Sequence, residues 1–510
     1  MTKRYFLTTI LALLTTITIS AAPPRKGVGC WRGTPKRNII TAVRFDGQRR
    51  AAESSPFIGH KRGLVILANF TDMKFKSTND HSKYNDILNT EDYTSSEGFR
   101  GSVYDYFRDQ SGGLFELTFD VLGPFTTKKQ YSYYGTNDSD GNDLRAHEMI
   151  IEMCQAADEL VDFADYDWDG DGEVDEVFVV YAGKGEADGG TVNSIWPHMW
   201  TLEDAKNEKL YLDGVAINTY ACANELKGTG RINGIGTFCH EFSHCMGFPD
   251  FYDTLNGKQY GMGDFDVMDQ GCYNGNGFCP PGYTAYEKML CGWQTPIVLA
   301  DEDVDVDSLQ PMSKGGQTYI IYNDANPDEF YTIENRQLNG WDKSYPARGL
   351  LVTHVDYDEY LWIYNYPNAI ITDEKARSKW DYERGNDHPR MTFFHANNSE
   401  SYPKLYPYTK NDSLTATSKP SASLYNANSL GEKRLEGAIL DIRQNSDGTI
   451  SFRYRAHPST QTAVNPITLH TLPSTDDTYY TLDGRVAGTS KASLRPGIYV
   501  VRGKKVVITQ

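Results

Sequence analysis

The run GLVILANF at 63–70 is apolar without alternation, the pattern of a strand buried on both faces. Ser102 is placed to cap a helix over 102–110 that carries Val103 and Phe107 on one face, and Ser111-Gly112-Gly113 closes it. A strand is expected over 114–122. Asp143 stands as the cap of a further helix in which Ile150, Met153, Cys154, Ala157 and Val161 recur at helical spacing. Another buried strand is expected at 177–181. This alternation runs to about Trp293 and predicts one α/β or α+β domain.

The pattern then changes. From 296 to 457 short Tyr- and Val-bearing runs are divided by Gly, Asn, Asp and Pro with no long helical period, which predicts a β-sandwich. Beyond a Ser/Thr/Pro-bearing link at 459–466, the steps Asp483-Gly484, Pro496-Gly497 and Arg502-Gly503 separate β-branched runs, so a small set of hairpins is expected over 466–510.

The 510 residues suffice for two or three domains, and 34 Tyr, 22 Phe and 8 Trp argue against disorder. Lys and Arg number 50 against 68 Asp and Glu, a net charge of −18, so nucleic acid is not an expected partner. Lys3 and Arg4 precede an apolar stretch over 6–19 and then Ser20, Ala21 and Ala22, the layout of a cleaved signal peptide at 1–22. That stretch is too short to span a bilayer, so no transmembrane segment is expected after cleavage and the expected location is secreted or cell-surface, in a bacterium. The segment 23–62 reads as an N-terminal or pro-segment, in which Cys30 is a candidate latency ligand. Of eight cysteines, Cys272 and Cys279 can close a short disulfide or stand as buried thiols; spacing does not decide between these, and no Cys-x-x-Cys pair occurs.

The strongest chemical signal is HEFSHCMGFPD at 240–250. On a helix, His240 and His244 lie four apart on one face and can direct two imidazoles at one metal ion, while Glu241 projects beside them as a general base. Gly247 tolerates φ > 0 and Pro249 biases Phe248 toward extended backbone, so the chain turns and can bring Asp250 round as third ligand. Asp253, three residues on, is its rival. A tyrosine to steady the oxyanion is expected among Tyr252, Tyr260 and Tyr273.

His-Glu-x-x-His-x-x-Gly-x-x-Asp resembles the long signature of the metzincin metallopeptidases, and GDFDVMDQG around Met268 resembles their Met-turn. Together with FTDMKF, GSVYDYFRDQSGG, DWDGDGEVDEVFVVYAG, IWPHMW, GFPDFYDT, PGYTAYEKMLCGW, ENRQLNGWD and GLLVTHVD, the chain is similar to the immune inhibitor A-like zinc metallopeptidases, family six of the metallopeptidases, over about 63–355. The resemblance implies an α+β catalytic domain at 63–295, with a mixed twisted sheet and an active-site helix. It also implies a secreted zinc endopeptidase acting on extracellular proteins, with Met268 packed beneath the zinc.

Within 165–178, DYDWDGDGEVDEVF offers Asp167, Asp169, Asp171, Glu173 and Asp175 as candidate calcium ligands around Gly170 and Gly172. Phe178 falls where an EF-hand carries its last acid, so a complete EF-hand is excluded. His198 and His354 read as buried structural residues. LDGR, PGIYVV and GKKVVI resemble the C-terminal sorting domains of type IX secretion, which implies contact with secretion machinery. The rival functional reading is a surface adhesin or carbohydrate-binding protein with an inactive peptidase-like domain.

Overall fold

The computed structural model describes residues 31–32, 55–138, 141–372, 385–456, 478–480, 486–490, 494–501 and 504–508. The signal-peptide segment, Cys30 and the LDGR motif lie outside them. The chain divides into two compact units, 1–457 and 458–510.

The first unit is a mixed α/β structure. Its main sheet contains β1 (Trp31–Arg32), β2 (Gly59–Asn69), β3 (Phe115–Thr126), β4 (Val177–Lys184), β5 (His198–Thr201) and β6 (Thr219–Leu226), in the order β1-β5-β6-β4-β2-β3. Every neighbouring pair is parallel except β5 with β6. Both faces of this sheet are covered, as parallel sheets require. Successive side chains alternate between faces, so Val65, Leu67, Phe178 and Val180 enter one core while Leu64, Ile66, Val177 and Val179 enter the other.

Helices α1 (His81–Asn89), α2 (Val103–Ser111) and α4 (Gly236–Cys245) contribute to the first core, and α3 (Ala146–Ala157) to the second. In α2 the expected cap is present and reciprocal: Asp105 N–H donates to Ser102 Oγ at 3.0 Å and Ser102 N–H to Asp105 Oδ2 at 2.9 Å. The cap proposed for α3 is not formed. That helix starts after Arg145 without a side-chain cap, and Asp143 Oδ2 instead accepts the backbone N–H of Trp196 at 2.8 Å. A tertiary donor has outcompeted the local one.

Two further sheets follow. One joins β7 (Ile297–Val298), β9 (Tyr319–Tyr322), β10 (Glu329–Arg336), β11 (Gly349–Asp356) and β12 (Met391–Phe393). The other joins β8 (Val304–Leu309), β13 (Ala438–Gln444) and β14 (Ile450–Arg455). Strands β10 and β11 are buried throughout, and alternation again explains why. Tyr331, Ile333, Leu350 and Val352 meet Ile439, Ile450 and Phe452 of the three-stranded sheet, whereas Phe330, Leu351 and Val355 turn into the core that holds α4. The five-stranded sheet therefore buttresses the peptidase-like part directly.

The second unit is a four-stranded antiparallel sheet of Tyr479–Tyr480, Val486–Gly488, Gly497–Val501 and Lys504–Ile508. Among the described residues no helix is long and apolar enough to cross a membrane.

Candidate metal centre and cleft

Helix α4 is positioned by its apolar stripe. Phe238 and Phe242, four apart, face the sheet, and the Phe238 ring stacks on Phe178 with centroids 3.8 Å apart. The helix also begins in a tight place, since a Cβ on Gly236 would lie 1.8 Å from the Cys272 carbonyl oxygen. No larger residue fits there. The stripe fixes the rotation of the helix and so sends His240 and His244 to the side away from the sheet, with Glu241 on the flank of the helix.

The helix ends at Cys245, and Gly247 adopts φ +101°, the left-handed region expected of it. The chain reverses and returns Asp250 to the two histidines. His240 Nε2 lies 3.1 Å and His244 Nε2 3.2 Å from Asp250 Oδ1. All three residues are buried, at 4%, 0% and 0% exposure, and Glu241 beside them is 1% exposed.

The hydrogen bonds on the far sides of the rings decide what these atoms can hold. His240 Nδ1 lies 2.7 Å from the Val267 carbonyl oxygen, and His244 Nδ1 lies 2.7 Å from that of Phe248. A carbonyl only accepts, so the proton of each neutral ring is assigned to Nδ1 and Nε2 carries a lone pair. Two lone pairs then converge on a carboxylate oxygen, an arrangement that repels itself until a cation enters. Burial pulls the His244 pKa down, which disfavours protonation as the answer. Two nitrogens and one hard oxygen at this spacing suit a small divalent cation such as zinc.

Asp253 does not join them. Its Oδ1 accepts the N–H groups of Leu255 and Asn256, and its Oδ2 those of Lys258 and Gln259, so it organises its own loop. The residue that holds Asp250 is Asn365, whose side chain gives and takes a hydrogen bond with it. The sequence reading missed Asn365. It lies 115 positions away with no spacing rule to the motif.

Met268 is fully buried, and its carbonyl accepts the N–H of Phe251, while the preceding residue, Val267, receives the His240 Nδ1 proton. The turn therefore steers one imidazole through its backbone. Beneath it, Asp266 and Glu287 are buried together. Burial pushes Asp266 up to about 7 and Glu287 well above the usual carboxylate range. Asp269, which accepts the N–H groups of Met262 and Gly263, is likewise pushed by burial up to about 6.

A cleft opens against His240 and Glu241, walled by Trp196, Pro197, Tyr252 and Tyr273 with Gln270 at its edge. Of the three tyrosines considered, Tyr252 and Tyr273 line it. Tyr260 packs instead against Phe393 and His395.

The remaining candidates separate clearly. Asp167, Asp169 and Asp175 bring one oxygen each within 4.8 Å of one another. Asp171 and Glu173 are not part of that group: Asp171 Oδ1 accepts the Glu173 N–H, and Glu173 pairs with Lys209 Nζ at 2.9 Å. The seven described cysteines, Cys272 and Cys279 among them, are free thiols, so the short disulfide is not formed. His198 contacts the Trp196 carbonyl and the Tyr220 hydroxyl, and His354 pairs with Glu329 between the rings of Phe394 and Tyr425. Both are buried, as expected of them.

Residues 62–292 match the family model for the catalytic domain of immune inhibitor A peptidase M6. The chain is 26% identical over 299 residues to the pre-pro-metalloprotease PrtV of Vibrio cholerae, an alignment covering 48% of this chain and 31% of that protein. It is 24% identical over 288 residues to immune inhibitor A of Bacillus thuringiensis, covering 47% and 41% respectively. The chain thus spans less than half the length of either relative. These likenesses support a peptidase M6 domain at 62–292 and, for it, a metallopeptidase.

Proposed function

We propose, with that peptidase M6 domain as premise, that the chain is a zinc-dependent metalloendopeptidase hydrolysing extracellular proteins, with Glu241 as general base. The observation that carries this reading is the convergence of His240 Nε2 and His244 Nε2 on Asp250 Oδ1 at 3.1 and 3.2 Å. A bound zinc ion supplies Lewis acidity to water and to the scissile carbonyl, worth several kcal/mol of barrier.

The chain's own groups do the rest. Glu241, adjacent to His240 and lining the same cleft, takes a proton from the attacking water as the new C–O bond forms. It returns that proton to the amide nitrogen as the C–N bond breaks, so the carboxylate is regenerated. Tyr252 and Tyr273 stand on the cleft wall where a hydroxyl can donate to the developing oxyanion. Val267 and Phe248 hold the imidazole tautomers, and Met268 supports the turn as a packing residue.

Export as a secreted or surface-delivered protein is the reading supported by the charge and hydropathy of 1–22, and sorting through the C-terminal unit is supported by its PGIYVV and GKKVVI strands. We further infer a structural calcium ion at Asp167, Asp169 and Asp175.

The deciding experiment pairs metal content with proteolysis. The purified chain should carry one zinc and cleave casein, and Glu241→Ala should keep the zinc while losing cleavage by about 10²-fold or more. A Glu241→Ala variant as active as the parent would eliminate this mechanism. A zinc-free, inactive parent would favour the adhesin reading.

A further inference from the structure

A second pocket lies away from the metal centre, between the end of α2, the helix α5 (Ala285–Leu290) and the segment following β10. Its walls include Arg100, Gln110, Lys288, Arg336, Trp341 and Asp342. Three of these six are cations, and they differ in how they are matched.

Arg336 is fully committed. Its Nε donates to Glu334 at 2.7 Å, its Nη1 to both oxygens of Asp342 at 2.9 and 3.1 Å, and its remaining donors to the carbonyls of Gly282 and Tyr283. The wall carboxylates are committed as well, Asp342 to Arg336 and the adjacent Asp109 to the Trp341 indole N–H at 2.9 Å. Gln110 uses its carbonyl on the Tyr283 N–H at 3.0 Å, which leaves its amide NH₂ as the donor end.

Lys288 and Arg100 are left over. Lys288 is only 8% exposed, and among the described residues its ammonium has no hydrogen-bonded or ion-paired partner. Arg100 is half-buried over the Trp341 ring, 5.5 Å from its centroid, and likewise has no carboxylate partner among the described residues. Taking an ammonium largely out of water with no carboxylate in direct contact is costly. Burial pulls its pKa down to about 8, with Arg336 pushing the same way and the nearby carboxylates of Asp342, Glu334 and Glu287 opposing.

We propose that this pocket is an anion site, in which a small oxyanion of the phosphate or sulfate class is held by Lys288 and Arg100 with the Gln110 amide as a third donor. The guanidinium offers paired N–H groups to two oxygens, and the ammonium supplies a compact point charge. An anion here replaces the hydration Lys288 gives up on burial. Of the wall carboxylates, Asp342 is ion-paired with Arg336 and Asp109 lies 3.7 Å from Arg108 Nε, so each faces a cation outside the proposed donor set.

The test is thermal unfolding of the full chain as inorganic phosphate replaces chloride at constant ionic strength. The parent should show a saturable rise in midpoint. Lys288→Gln and Arg100→Gln should each weaken the apparent affinity at least tenfold. Arg100 is only half-buried, so its variant carries the measurement if Lys288→Gln fails to fold. Equal midpoints in phosphate and chloride for the parent, or parental phosphate responses in both variants, would overturn the site. The readout needs no proteolysis and is independent of the peptidase reading.

Discussion

Asn365 and Asp250 hold each other by two hydrogen bonds across 115 residues: Asn365 Nδ2 donates to Asp250 Oδ2 at 2.7 Å, and Asp250 N–H donates to Asn365 Oδ1 at 2.6 Å. Oδ1 of the aspartate is thereby left to face the imidazoles. Asn365 itself sits at φ +62°, a left-handed conformation that asparagine tolerates better than most residues. Substituting Asn365→Ala should weaken zinc binding about 10- to 100-fold, the usual cost of losing a partner behind a ligand. Competition with a chromogenic chelator measures it, and unchanged affinity would remove Asn365 from the site.

Asp266 and Glu287 predict a pH dependence of stability. Each binds its proton more tightly in the folded chain than in the unfolded one, with Asp269 adding negative charge nearby and Arg336 opposing it. The folded state then carries more protons, so stability falls as pH rises. The contribution of Asp266 is fully present below its unfolded value near 4 and is lost as pH climbs through about 7. The slope in that window is up to about 1.4 kcal/mol per pH unit for one proton. Urea unfolding from pH 4 to 8 should show this decline in the parent and a flatter profile in Asp266→Asn.

The stack of Phe238 on Phe178 ties the site helix to the sheet, and Phe238 is 6% exposed. Phe238→Ala should cost about 3–5 kcal/mol through lost burial and the cavity it leaves. Denaturant titration reads the loss directly. A cost below about 1 kcal/mol would mean that the helix is held mainly by its other contacts.

Calcium should raise the thermal midpoint of the parent, because binding to the folded state alone shifts the unfolding equilibrium. The rise should vanish in Asp167→Asn, since Asp167 contributes to the three-oxygen group and organises the loop through the N–H groups of Gly170 and Gly172. Glu173→Gln should leave the calcium response intact, because that carboxylate is engaged by Lys209. An equal calcium response in the parent and Asp167→Asn would remove the site.

Local rules made much of the chain legible without coordinates. Apolar runs identified β2 and β4, the Ser102 cap identified α2, and the four-residue spacing of His240 and His244 put two imidazoles on one helical face, because each of these depends on neighbours in sequence. The glycine and proline after the helix foretold a reversal for the same reason. Which acid would return to the two histidines was not legible. Asp250 and Asp253 are chemically alike, and their roles separate only where one meets Asn365 and the other meets the N–H groups of its own loop. The failed cap at Asp143 has the same cause, a partner supplied by the distant Trp196 backbone. Sequence thus determined the periodicities, the turns and the kinds of ligand atom available, all of them short-range properties of a chain. The tertiary fold alone decided which donors reach which acceptors, because burial makes every carboxylate compete for partners that arrive from far along the polymer.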